Sequence, residues 1–217
     1  MGEAGSLRPS QSGIWDLRVQ SSYFRVQISD FRFQIMNAIL KRTLLVVMIV
    51  VGAVVIDQII KLYIATHFAL GESHEITSWF WLCFVENNGM AFGIEWFSKL
   101  ALTLFRLLAV GLLAWYTHVL IRKPEVPTGY IATIAFIISG ALGNIIDCIF
   151  YGKLFGYENW FYGRVVDMFY FPLIRNGAGE VLFFRPVFNF ADSCITCAVT
   201  VIILFYMKQL NKDEGQK

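Results

Sequence analysis

The sequence predicts an all-α membrane protein: four transmembrane helices carrying a small extracytoplasmic β-sheet. Composition and patterning both predict it. Of 217 residues, 57% are hydrophobic and only 16% charged, with a mean hydropathy of +0.58, whereas soluble domains carry about 25% charged residues. The apolar residues also fall in unbroken runs rather than at amphipathic spacing, and a run of about 20 is what a hydrocarbon layer of roughly 30 Å requires. Disordered, collagenous and coiled-coil architectures are excluded by this composition. A net charge of +2 argues neither for nor against a nucleic-acid partner.

Residues 1–35 are polar, carry scattered charges and hold no apolar stretch long enough for a signal peptide. They are expected to be a disordered or non-native extension. Met36 stands just before Asn37 and the pair Lys41 and Arg42, a basic lead into a single membrane-embedded domain over 36–217. The first span is expected at about 44–65. Residues 78–97 are rich in Trp, Phe and Val, with Asn87, Asn88 and Gly89 as turn formers, which predicts strands joined by a tight turn. Trp79, Trp81, Trp96 and Phe97 suit the headgroup belt. Spans two and three follow at about 100–121 and 129–151. After a long outer segment, residues 181–188 predict another strand and residues 189–207 the fourth span.

Lys and Arg are retained on the cytoplasmic side. One side collects Lys41, Arg42, Arg122, Lys123, Lys208 and Lys212; the other spreads Lys99, Lys153, Arg164, Arg175 and Arg185 over longer loops rich in Glu. Both termini are therefore expected inside.

Charges within or at the ends of spans are expensive and are usually paired or functional. With spans one and three running outward and span four inward, Asp57 and Lys61, then Asn144 and Asp147, then Asn189 and Asp192 all reach the outer level. Asp167 joins them from the outer loop, flanked by Val165, Val166, Met168 and Phe169. Each also has a plain structural explanation. Asp57 and Lys61 stand at i,i+4, acid first, the better order for a helical ion pair. Asn189 and Asp192 have capping-box spacing, where the helix dipole favours the charged acid. Asp147, near a helix C-terminus, opposes the dipole and needs a cation, with Arg106, Lys153 or Arg164 as candidates. Arg106 is expected instead to snorkel to the headgroups.

Several outer-level acids without metal-ligand histidines point to proton chemistry between carboxylates. Two close carboxyls cannot both ionise cheaply, so one acts as base and the other as acid. Burial among Val and Phe pushes Asp167 toward its neutral form. The four cysteines, Cys83, Cys148, Cys194 and Cys197, form neither a disulfide framework nor a zinc pattern. Cys194 and Cys197 make a C-x-x-C pair, which keeps a quinone-coupled thiol oxidoreductase open as a rival. A small proton transporter is disfavoured because the acids gather at one end rather than through the bilayer.

The motifs Asp57-Gln58-x-x-Lys61, Asn87-x-Gly89-Met90-Ala91-Phe92, Gly143-Asn144-Ile145-Ile146-Asp147, Val165-Val166-Asp167 and Phe188-Asn189-Phe190-Ala191-Asp192-Ser193 strongly resemble those of lipoprotein signal peptidase, the type II signal peptidase of bacteria. The resemblance covers nearly everything over 36–207. It implies an inner-membrane aspartic endopeptidase that cuts prolipoproteins on the N-terminal side of a diacylglyceryl-modified cysteine. Its partners would be that substrate and membrane lipids, with no nucleic acid; the chain is expected to be a monomer, and no cofactor is implied. Asp167 and Asp192 match the catalytic aspartates. Asn87, Gly89, Asn144, Asp147 and Asn189 match residues that line and order the site, and Asp57 and Lys61 match the first-helix motif. In the family a sheet cradles the substrate. Position 148 is Cys where the family commonly has Arg, so Arg164 is expected to supply the cation beside Asp147. The outer segments 148–166 and 168–188 are longer than usual, and Tyr157, Trp160 and Phe161 are expected to form a lid.

Overall fold

The computed structural model describes residues 11–88, 99–175, 181–183 and 186–207. Its contacts divide the chain into two units, Met1–Thr43 and Leu44–Lys217. Helix α1 (Gln11–His67) runs through both. In the first unit the described residues are helical, and Tyr23, Phe24 and Phe31 are exposed.

In the second unit, α1 buries Ala53, Asp57, Lys61 and Ile64 while Val47, Met48, Val51, Val55 and Ile59 are exposed. The buried positions recur every three or four residues, so one stripe faces the protein and carries the charges. The apolar side chains face outward, the pattern of a helix whose solvent is lipid. Helix α2 (Lys99–Ile121) buries Thr103, Val110 and Thr117 at the same kind of spacing. Helix α3 (Thr128–Ile146) continues into a π-helical turn, Asp147–Tyr151, and the short α4 (Gly152–Leu154). Helix α5 (Phe190–Val201) ends in a second π-helical turn, Ile202–Tyr206. Among the described residues three helices, Tyr23–His67, Lys99–Ile121 and Thr128–Leu154, are long and apolar enough to cross a membrane, and the apolar helix Phe190–Tyr206 is shorter.

Lipid-embedded helices gain little from the hydrophobic effect against one another and associate by close packing. Gly140 and Gly143 make that possible between α3 and α5. A Cβ on Gly140 would strike the Ala191 carbonyl oxygen, and one on Gly143 would lie 2.5 Å from Asp57 Oδ2.

The strands are β1 (Ser73–Thr77), β2 (Phe80–Asn87), β3 (Val165–Tyr170), β4 (Ile174–Arg175), β5 (Val181–Phe183) and β6 (Val187–Phe188). An antiparallel sheet runs β1-β2-β3-β6, and β4 pairs with β5 separately. A hairpin turn lies at Ser78 and Trp79, between paired Thr77 and Phe80, and the turn expected over Asn87 to Gly89 runs outside the described residues. Asn87 pairs with Val165 at the end of the β2–β3 ladder. Residues 89–98, with Gly89, Trp96 and Phe97, lie outside the described residues.

Ile64, Phe84, Tyr151, Val166 and Met168 form one buried cluster. It joins the end of α1, the middle of β2, the π-helical turn and β3. Because strand side chains alternate, packing Val166 and Met168 into this cluster aims Asp167 at the opposite face.

The segment expected as a lid is tied down instead. Tyr157 N and Glu158 N both donate to the Gly152 carbonyl, Phe161 N donates to Ile149 O (3.1 Å) and Gly163 N to Cys148 O (2.8 Å). A π-helical turn leaves carbonyls without helical partners, and these amides satisfy them. A Cβ on Gly163 would strike the Asp147 carbonyl oxygen, so only glycine permits so close a return.

Candidate active site

Three charges meet where α1, α3 and the π-helical turn converge. Lys61 Nζ lies 3.0 Å from Asp57 Oδ2 and 2.7 Å from Asp147 Oδ2, and donates to Asn144 Oδ1 at 2.8 Å. Asp57, Lys61 and Asp147 are each at most 1% exposed, so no water screens them. Two acids against one base leave one negative charge over, and hydrogen-bond donors surround it. Ala191 N donates to Asp57 Oδ1 (2.9 Å), Val166 N to Asp147 Oδ2 (3.3 Å) and Gln58 Nε2 to Asp147 Oδ1 (2.9 Å). The Ala191 amide belongs to the first turn of α5, where the helix dipole favours an anion.

The expected cations are elsewhere. Arg164 Nη1 donates to Glu86 Oε2 at 2.6 Å, with its guanidinium 5.2 Å from the Tyr157 ring centroid. Arg106 Nη1 reaches Cys148 Sγ at 3.3 Å. The partner of Asp147 is Lys61, across 86 residues of sequence. Gln58, absent from the expected site residues, bridges Asp147 and the Gly143 carbonyl (3.2 Å) and accepts from Tyr151 Oη (3.1 Å). Two polar side chains in apolar helices were the available signal for both.

Asn144 connects this cluster to Asp192. Its Oδ1 accepts from Lys61 and from Asn189 Nδ2 (3.1 Å), and its Nδ2 donates to Asp192 Oδ1 (2.8 Å). With the cation fixing the oxygen side, the amide can only present its NH2 to the carboxylate. Asn189 caps α5 in a reciprocal box, its Oδ1 accepting from Asp192 N (2.9 Å) and Asp192 Oδ2 accepting from Asn189 N (3.4 Å). Its Nδ2 also donates to Asp167 Oδ1 at 2.7 Å, and Asn87 Nδ2 holds Asp167 Oδ2 at 3.1 Å. Asp167 is 2% exposed. Burial, and then repulsion from Asp192, push its carboxyl up to about 7 against the pull of the Asn87 and Asn189 amides. It therefore holds a proton below neutral pH.

A family profile described as "Signal peptidase (SPase) II" matches residues 49–208. The chain belongs to the signal peptidase II family. A lipoprotein signal peptidase of Porphyromonas gingivalis is 44% identical over 187 residues, 75% of this chain and 83% of that protein. One from Amoebophilus asiaticus is 35% identical over 172 residues, 70% of this chain and 73% of that one. Among solved structures, a bacterial membrane enzyme determined by the in meso method superimposes with a TM-score of 0.57 at 27% identity, covering 79% of this chain and 90% of that one.

This signal peptidase II chain is thus a protease of a multi-pass bacterial membrane family. Of the residues singled out in its sequence, the structure joins Asp57, Lys61, Asn87, Asn144, Asp147, Asp167, Asn189 and Asp192 in one hydrogen-bonded network. Arg164 stands apart from that network on its own acid, and Gly89 lies outside the described residues. Chemically, the network fixes two carboxyls by amides and shifts one of them, Asp167, toward its protonated form. Among the described residues no group of three or more His, Cys, Asp or Glu could hold a metal ion. Cys83, Cys148, Cys194 and Cys197 are free thiols, and Cys197 alone of these is exposed.

Proposed function

We propose that this chain is an aspartic endopeptidase that removes the signal peptide from bacterial prolipoproteins, cutting on the N-terminal side of a diacylglyceryl-modified cysteine, with Asp167 and Asp192 as the catalytic pair. The observation that carries it is Asn189, whose amide nitrogen donates to Asp167 while its oxygen and backbone amide close a box with Asp192. One side chain thereby sets both carboxyls.

In the mechanism, the ionised carboxylate takes a proton from a water held between the pair as the water oxygen bonds to the scissile carbonyl carbon. The protonated carboxyl gives its proton to the carbonyl oxygen. Collapse of the resulting tetrahedral diol breaks the C–N bond, its hydroxyl proton returning to one aspartate while the leaving nitrogen takes a proton from the other. The products are a carboxylate on the signal peptide and a free amine on the lipidated cysteine. Asn87 and Asn189 orient Asp167, Asn144 orients Asp192, and Lys61, Asp57 and Asp147 anchor Asn144 from behind. The titration belongs to the pair.

The peptidase domain is 36–217 with four spans, the shorter Phe190–Tyr206 serving as the last, and residues 1–35 are an extension of it. It works as a monomer in the inner membrane, both termini cytoplasmic and the aspartates near the periplasmic face. Purified protein should cleave a diacylglyceryl-modified precursor peptide, and Asp167→Asn and Asp192→Asn should each lower the rate at least 1,000-fold while remaining folded in the membrane. Near wild-type cleavage by either variant would remove the pair from the mechanism.

A further inference from the structure

Two backbone amides tie down the segments that carry the carboxyls. Val166 N, one residue before Asp167, donates to Asp147 Oδ2 at 3.3 Å, and Ala191 N, one residue before Asp192, donates to Asp57 Oδ1 at 2.9 Å. The separation of Asp167 from Asp192 is therefore governed from behind, by how Asp147 and Asp57 are held to one another. Lys61 Nζ touches both of those acids, but a single nitrogen is a pivot about which two carboxylates can swing. Gln58 supplies the second bridge. Its Nε2 donates to Asp147 Oδ1 at 2.9 Å and lies 3.2 Å from both Asp57 Oδ2 and the Gly143 carbonyl oxygen.

A carbonyl oxygen only accepts, so Gly143 requires the nitrogen of the Gln58 amide on this side and its oxygen on the other. There Tyr151 Oη donates to Gln58 Oε1 at 3.1 Å. Tyr151 is buried in the cluster that also holds Val166, which fixes the donor in place. Resting on the catalytic role proposed for Asp167 and Asp192, we infer that Gln58, held by Tyr151, is a positioning residue that sets the distance between the two aspartates. Both act through Asp57 and Asp147 rather than on the reacting atoms. Two carboxyls repel more strongly the closer they stand, and that repulsion spreads apart the two steps in which the pair titrates. A pair allowed to drift apart titrates in steps closer together, a change that loss of packing elsewhere does not produce.

The two steps are read by NMR on isotope-labelled aspartate carboxyls in the full chain, and again as the two limbs of kcat/KM against pH. In Gln58→Met, which keeps the length of the side chain, they should draw together by at least ~0.5 pH unit. On a diacylglyceryl-modified precursor peptide the same variant should lose at least tenfold in kcat, with KM changed less than twofold. Tyr151→Phe, which keeps its ring in the cluster, should move both quantities in the same direction by less. Combined with Gln58→Met it should cost nothing further, because Tyr151 acts through Gln58. Wild-type spacing of the steps in the two variants, or an unchanged kcat in Gln58→Met, would overturn the inference, and losses that multiply in the double variant would remove Tyr151 from it. Should Gln58→Met fail to fold, the spacing in Tyr151→Phe decides alone. A wild type that cleaves no precursor would instead refute the proposed function, while the NMR spacing, which needs no turnover, would still show whether Gln58 holds the carboxyls together.

Discussion

Lys61 is a buried ammonium facing two carboxylates and one amide oxygen, so its removal leaves two acids without a cation. Breaking a buried ion pair by deleting one member typically costs about 3–5 kcal/mol. Lys61→Met should therefore lower the thermal unfolding midpoint sharply in a detergent-solubilised sample. It should also free the Asn144 amide to turn, which would show as a displaced pH–rate profile in whatever folded protein remains. For Asp167 the sign of the pH dependence follows from its raised pKa of about 7. In the proposed mechanism cleavage needs its proton, so kcat/KM should fall as pH rises through about 7, and should fall again in acid once the pair holds two protons and no base is left. The stability effect has the same origin. Between about pH 4 and 7 the folded carboxyl binds more protons than the unfolded one, so stability drops with rising pH in that window and is level above it. The difference from 3.8 corresponds to about 4 kcal/mol. The unfolding midpoint of Asp167→Asn minus that of wild type should accordingly climb from pH 4 to 7; a flat difference would mean that Asp167 is ionised throughout. At this scale the sequence reveals what is local. The Asn189 and Asp192 box and the Asp57 and Lys61 pair are spacings of three and four residues. That Lys61, not Arg164, reaches Asp147 depends on how two helices and a strand pack, and Arg164 was already committed to Glu86 across the β2–β3 pair.

Among the elements, α5 decides the geometry because Asn144 on α3 donates to its Asp192 and its Ala191 amide donates to Asp57 on α1. Gly143→Ala would put a methyl group 2.5 Å from Asp57 Oδ2 and 3.2 Å from the Ala191 Cβ. Overpacking of this kind costs about 1–3 kcal/mol, and here it also pushes α5, with Asp192, away from Asn144. The variant should lose both stability and kcat, whereas Gly111→Ala, where an added Cβ meets nothing, should lose neither. The π-helical turn after α3 has a similar dependence. Its Cys148 and Ile149 carbonyls are satisfied by Gly163 and Phe161 amides, so deleting residues 153–162 should destabilise the fold as well as change substrate affinity. A free lid would change affinity alone. The helices were legible because apolar runs of about 20 residues have few other uses. Strand β1 was not, since Ser-His-Glu-Ile-Thr is exposed at every position and has no buried face to produce alternation. It exists because β2 offers it an edge.

For the whole molecule, the apolar surface and the polar seam together require a membrane, and the remaining question is which way the seam opens. The sheet and the aspartates lie together: β3 carries Asp167, and the buried cluster of Ile64, Phe84, Tyr151, Val166 and Met168 fastens β2 and β3 to the end of α1 and to the turn after α3. The opposite ends of the helices carry Arg122 and Lys123 in the short connection between α2 and α3. A short basic connection is what the membrane insertion machinery retains in the cytoplasm, whereas charge in long loops counts for little. Alkaline phosphatase fused after Lys123 should thus be inactive and fused after Glu158 active, with a green fluorescent protein fusion giving the reverse pattern. Replacing Arg122 and Lys123 by Gln should weaken that asymmetry without touching any residue of the site. Were the fusion after Lys123 the active one, the carboxyls would open to the cytoplasm, where a precursor anchored for export does not present its lipidated cysteine, and the proposed substrate would fail with the orientation.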